Sequence, residues 1–202
     1  MLAAMKSLLV AAVAVALAVA LAACSSDSQK TVDAAAQDSA SDTPGATMML
    51  ASPAFAEGGT VPTANTCNGA NTSPALAWTG APAGTRSFAV VLTDLTISMA
   101  HWVIFDIPPT GAGLPAGVEN VYAPASVAGA HQIVSIQPPT VGYYGPCPPR
   151  PPAHTYQFTV HALDTATLPG VSAKSTRPEA VAAIQAHRLG AGSLTGVYTT
   201  PP

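Results

Sequence analysis

Tyr156-Gln157-Phe158-Thr159-Val160-His161-Ala162-Leu163 places Tyr156, Phe158, Val160 and Ala162 on one face and alternates them with polar neighbours. That period of two is the signature of a β-strand with one face against a core. Two other stretches read the same way. Arg86–Asp94 is dense in apolar and β-branched residues and follows the turn-forming Ala81-Pro82-Ala83-Gly84. His101–Ile107 stops at Pro108-Pro109, because proline has no N–H to give a sheet ladder. Weaker strands are expected at His131–Ile136 and Ser193–Thr199. The sequence predicts one helix: Thr176-Arg177-Pro178-Glu179 forms a capping box, and Val181, Ile184 and Leu189 recur on a helical face until Gly190 ends it. Strands without alternating helices predict a mainly-β fold, an antiparallel sandwich or barrel with one C-terminal helix.

Ahead of these elements the chain changes character. Lys6 is the one charge before an apolar run from Leu8 to Ala23, which is about 16 residues long, whereas a membrane-spanning helix needs about 20. The run ends in Leu21-Ala22-Ala23-Cys24. Residues 1–23 therefore read as a lipoprotein signal peptide, and Cys24 as the thiol that takes a diacylglycerol and becomes the palmitate-bearing, lipid-modified N-terminus. The alternative is an uncleaved membrane helix with an incidental cysteine. Ser25 rather than Asp after Cys24 predicts sorting to an outer membrane where the cell has one. Residues 24–45 are Ser, Asp, Ala, Gln and Thr in the main, too polar to bury a core, and read as a flexible tether. The remainder of the chain, residues 46–202, is one domain in size.

That domain holds six acidic residues (Glu57, Asp94, Asp106, Glu119, Asp164, Glu179) and five basic ones (Arg86, Arg150, Lys174, Arg177, Arg188). Its near-neutrality excludes the basic patch that nucleic acid requires. Cys67 and Cys147 remain once Cys24 is committed to lipid, and in an exported chain a disulfide between them is expected. The alternative, a thiol pair on a metal, lacks Cys-x-x-Cys spacing. Of the five histidines, two open strand-like segments beside aromatics, His101-Trp102 and His154-Thr155-Tyr156. A polar residue where a loop enters a strand is well placed to line a pocket mouth.

Five blocks in order carry a resemblance: Asn71–Trp78 (Asn-Thr-Ser-Pro-Ala-Leu-Ala-Trp), Pro82–Val90, His101–Ile104, Gly142–Pro149 (Gly-Tyr-Tyr-Gly-Pro-Cys-Pro-Pro) and His154–Tyr156. Over about Cys67 to Tyr198 the chain resembles the phosphatidylethanolamine-binding protein family, in its bacterial Raf kinase inhibitor-like branch. The resemblance implies an antiparallel β-sandwich with Greek-key-like loops and a small pocket for phosphate-like anions. By position that pocket is Asp94, His101, Pro148, Pro149, His154 and Tyr156, with no cofactor and no metal. The family pattern Asp-Pro-Asp-x-Pro is replaced here by Asp94-Leu95-Thr96-Ile97-Ser98, which keeps the first carboxylate alone. The glycine before the second histidine is replaced by Pro151-Pro152-Ala153.

In chemical terms, two imidazoles and a phenol offer three donors to an anion, and Asp94 can fix a histidine tautomer. These residues predict binding that strengthens from pH 7.5 to 5.5. The function expected is an envelope-anchored lipoprotein that binds a small phosphate-like or carboxylate ligand, touches the membrane through its lipid alone, and is not an enzyme. Three rival readings have less support. A Ser98-His101-Asp94 triad has no Gly-x-Ser-x-Gly elbow; zinc on Asp94, His101 and His154 has no helical ligand spacing; inhibition of an envelope or host protease rests on analogy of fold.

Overall fold

The computed structural model describes residues 46–202. The signal peptide, Cys24 and the tether expected over residues 1–45 lie outside the described residues. In chain order the strands and helix are β1 (Ala46–Thr47), β2 (Met49–Ala51), β3 (Gly59–Thr60), β4 (Leu76–Thr79), β5 (Ser87–Asp94), β6 (Met99–Ile107), β7 (Gly113–Leu114), β8 (His131–Gln132), β9 (His154–Leu163), α1 (Arg177–Ala186) and β10 (Arg188–Tyr198). Among the described residues the fold is mainly β with one α-helix, as expected. Seven strands make one sheet in the order β1-β10-β9-β5-β6-β8, with β3 also paired to β10, and β2-β4-β7 make a second. The long strands run antiparallel. The two-residue β1 and β3 depart from that expectation by pairing with β10 in parallel.

The large sheet is covered on both faces. Val90, Leu92, Trp102, Ile104, Phe158 and Val160 share one apolar cluster with Leu50, Leu76, Trp78 and Leu114 of the small sheet. The opposite face, with Ala89, Val91, Val103 and Phe105, packs against Leu168 and against Ala180 and Ile184 of α1. A strand between two apolar layers needs hydrophobes at every position. That is why β5 reads Phe-Ala-Val-Val-Leu without alternation.

The helix starts where the sequence places it. The Thr176 side chain accepts from the Glu179 N–H, and Glu179 reaches back to the N–H of Thr176. It stops at Ala186, however, and not at Gly190, so Leu189 and Gly190 lie in β10. The reason is tertiary: β9 offers a ladder that reaches Leu163↔Arg188 and Ala162↔Gly190, and strand pairing outcompetes one more helical turn. Gly192 and Gly196 of β10 serve close approach rather than termination. A Cβ on Gly192 would stand 2.4 Å from the Met48 carbonyl oxygen. The expected strand His131–Ile136 is reduced to His131–Gln132, followed by a lone bridge between Val134 and Val141. Beyond Gln132 the chain turns away, and Ile136 and Gln137 build one wall of a small cavity at the end of the large sheet.

Candidate functional site

Asp94 pairs with Tyr156 across β5 and β9, so Asp94 and the His154/Tyr156 side chains leave the sheet on the same face. His101 reaches that face by a different device. On β5, Leu92 and Thr93 are consecutive, yet their partners on β6 are Trp102 and Ala100, which leaves His101 as the extra residue of a β-bulge. A bulge re-aims one side chain. Here it lets His101 join Asp94 although its neighbour Trp102 packs into the same core.

The resulting cavity is about 150 Å³ and is lined by Asp94, His101, Tyr144, Pro148, Pro149 and His154, with Ile97, Ile136, Gln137 and Cys147 completing the wall. Asp94 is buried, and both its oxygens are engaged. Oδ2 faces His154 Nδ1 at 2.6 Å, and Oδ1 accepts from the Thr96 N–H at 2.9 Å. The second contact, together with Leu95 N–H to Thr155 O at 2.8 Å, fixes the hairpin that carries Leu95-Thr96-Ile97-Ser98. His101 Nδ1 faces the Gly145 carbonyl at 3.2 Å, and its Nε2 stands 4.0 Å from Asp94 Oδ2.

The opposite wall is a tied arm. The disulfide expected between Cys67 and Cys147 is present, with Cα atoms 5.3 Å apart. Asn71 Oδ1 accepts from Gly145 N–H at 2.8 Å, Cys67 N–H donates to Pro146 O at 3.1 Å, and Tyr143 Oη donates to Asn65 O at 2.7 Å. Gly145 packs so closely that a Cβ would fall 2.2 Å from the Asn65 carbonyl oxygen. The segment after β8 is held as well: Ile136 N–H donates to His101 O at 3.1 Å, and Arg177 Nη1 donates to the carbonyls of Val134 and Ser135.

Five of the six residues expected from the sequence (Asp94, His101, Pro148, Pro149 and His154) therefore line one cavity. Tyr156 does not. It lies beneath them, edge-on to His101 at 5.4 Å and stacked on His154 at 6.3 Å, and its hydroxyl accepts from Cys147 N–H at 3.3 Å. Burial and the charge of Asp94 push the Tyr156 phenol up, so it stays protonated. The phenol on the cavity wall is Tyr144, whose hydroxyl meets the Cys147 sulfur at 3.5 Å. Its place in the Gly142–Pro149 block was the available signal. Ile136 and Gln137 had none, because they reach the site only through the turn after β8.

The expected donor set is also revised. A carboxylate and a carbonyl accept only, so Nδ1 of each imidazole carries its hydrogen inward, and in the neutral ring Nε2 is left as a lone pair. An anion is then welcome when a ring is protonated or when the anion brings its own proton. Burial pushes His101 below the ordinary histidine value, with Asp94 and the carbonyls of Gly145 and Tyr144 acting against it. Its charging therefore falls on the acid side of the range expected from the sequence. Among the described residues no group of three His, Cys, Asp or Glu side chains is arranged to hold a metal ion, and no helix is long and apolar enough to cross a membrane.

Comparison with known proteins bears on the family and the fold. The sequence profile of the phosphatidylethanolamine-binding protein family matches residues 51–199. A UPF0098 protein of Methanothermobacter thermautotrophicus is 37% identical over 158 residues, covering 75% of this chain and 98% of its own. A Mycobacterium tuberculosis protein named as a candidate lipoprotein, LppC, is 33% identical over 157 residues, covering 75% of this chain and 72% of its own. The crystal structure of Escherichia coli YbcL, described as a member of the mammalian PEBP family, superposes with a TM-score of 0.68 at 31% identity, covering 76% of this chain and 99% of that one. Sequence, fold and relatives agree, and the chain belongs to the phosphatidylethanolamine-binding protein family.

Proposed function

We propose that the domain binds a small phosphate-like or carboxylate anion and is displayed on the cell envelope by a lipid-modified Cys24. The observation that carries the reading is the convergence of His101 and His154, from two different strands, on one small cavity backed by Asp94. A cavity of about 150 Å³ suits a head group or a free anion better than a larger metabolite. The lipobox-like Leu21–Cys24 and the relative named as a candidate lipoprotein support the envelope location. In this reading the two sheets are the leaves of one Greek-key-like sandwich with the cavity at its end.

Binding is favoured over turnover. Ser98, the nucleophile of the triad considered from the sequence, borders a separate groove with Thr93 and Met99 and not the histidine cavity. The test is calorimetric titration of the full chain with inorganic phosphate, phosphorylethanolamine and acetate at pH 7.5 and 5.5. The expected result is tighter phosphate binding at pH 5.5 and a loss of about tenfold or more, about 1.4 kcal/mol, in both His101→Ala and His154→Ala. Unchanged affinity in both variants overturns the reading.

A further inference from the structure

Arg177 opens α1 half-buried, and its hydrogen bonds among the described residues all run from Nη1 to the carbonyls of Val134 and Ser135. The ion pairs among the described residues are all between histidine and aspartate, so this guanidinium has no carboxylate partner there. Glu179, on the same turn, is held by Thr176 in the capping box. A partly desolvated cation without a counter-charge is an unfavourable arrangement that an incoming anion relieves.

The same side chain borders a groove of about 440 Å³ whose other walls include Thr93, Ser98, Met99, Ala100 and Val181. That volume lies in the range of small-molecule sites. Met99, Ala100 and Val181 give it an apolar bed, Thr93 and Ser98 add two hydroxyls, and among the described residues no acidic side chain lines it. It shares no lining residue with the histidine cavity. Successive β-strand residues point to opposite faces, so Asp94 serves the one site and Thr93 the other.

We propose that this groove is a second ligand site, for a small organic carboxylate with an apolar body. The carboxylate pairs with the Arg177 guanidinium, whose planar fork matches two carboxylate oxygens, and the apolar body lies on Met99, Ala100 and Val181. A single cation among apolar walls suits a monocarboxylate better than a strongly hydrated phosphate dianion. Arg177 also holds the Val134–Ser135 segment that leads into the wall of the histidine cavity, so Val181→Trp, not Arg177→Gln, separates the two sites.

Benzoate, benzyl alcohol and inorganic phosphate are the probes, titrated into the full chain and followed by backbone amide NMR shifts. Benzoate is expected to saturate with its shifts centred on Met99, Ala100 and Val181, and benzyl alcohol to bind at least tenfold more weakly. Arg177→Gln and Val181→Trp, the latter filling the groove while keeping the cation, are each expected to weaken benzoate at least tenfold. Val181→Trp leaves phosphate binding at the histidine cavity unchanged. The proposal is overturned if benzoate does not saturate, if benzyl alcohol binds equally well, if the benzoate shifts centre on His101 and His154, or if Val181→Trp binds benzoate undiminished. Benzoate in the groove with no phosphate response at the histidines supports this site and contradicts the proposed function alone.

Discussion

An aspartate–histidine pair stands at each end of strand β6, and each end carries a bulge. At the first, His101 is the extra residue, and Asp94 faces His154 Nδ1 at 2.6 Å beside a cavity of about 150 Å³. At the second, the irregularity between Ile107 and Ile104 accommodates Asp106 at φ 58°, and Asp106 Oδ2 faces His131 Nδ1 at 3.1 Å. There the other carboxylate oxygen accepts from the buried Leu168 N–H at 2.7 Å, and the His131 ring lies 4.7 Å from that of Tyr122. Asp106 and His131 line neither the histidine cavity nor the Arg177 groove. The same pair of residue types thus fastens a loop at one end, where the His131 side chain is 31% exposed, and lines a cavity at the other, where the His154 side chain is 8% exposed. What separates the two ends is the cavity beside the ring, not the pairing itself.

Breaking the arm at the cavity end should have the largest effect. Replacing Cys67 and Cys147 by Ser opens a loop with a sequence separation of 80, and the chain-entropy account of cross-links puts the loss at about 4 kcal/mol. Urea unfolding measures it, and phosphate affinity is expected to fall with it because Gly145 and Pro148 lose their tether. A variant with full stability and full affinity would show that the arm is held by its hydrogen bonds alone.

His161 is the histidine without an aspartate, and pH sets it apart. His161 is buried on β9 with Nδ1 unpartnered, and burial first, then Arg188, pushes it down to about 4. Its unfolded value is near 6.5, so between pH 6.5 and 4 the unfolded chain binds the proton that the folded chain refuses. Stability is therefore full above about 6.5 and falls as the pH drops toward 4, by up to about 3 kcal/mol. His101, also lowered by burial, adds in the same direction. Chemical unfolding at pH 7 and pH 4.5 should give a smaller difference in His161→Leu than in the parent, and an equal difference would contradict the assignment.

At the far end of β6, Asp106→Ala should cost about 2 kcal/mol, since it leaves the buried Leu168 N–H without an acceptor and puts a β-carbon at positive φ without its local hydrogen bonds. Phosphate affinity should stay within about twofold, because RT ln 2 is only ~0.4 kcal/mol. A tenfold drop would erase the distinction drawn between the two ends.

Much of the fold was legible in the sequence for physical reasons. Arg86–Asp94, His101–Ile107 and Tyr156–Leu163 are long apolar strands whose burial dictates their composition, and each is found within two residues of its expected bounds. The Thr176 cap is local chemistry and needs no tertiary context. β10 is only half legible, because Gly190 reads as the end of the helix and the close approach of Met48 at Gly192 is a tertiary contact. The bulge at His101 depends on how β5 and β6 register, which no local pattern encodes. For the same reason Tyr156 was expected on the wall that Tyr144 occupies.

A phosphate titration at pH 5.5 of the full chain with 15N-labelled histidines follows all five imidazoles at once. Saturable shifts are expected at His101 and His154 with one common affinity, and none at His131, His187 or His161. Equal shifts at His131, or still resonances at His101 and His154 while phosphate binds, would contradict anion binding at the histidine cavity.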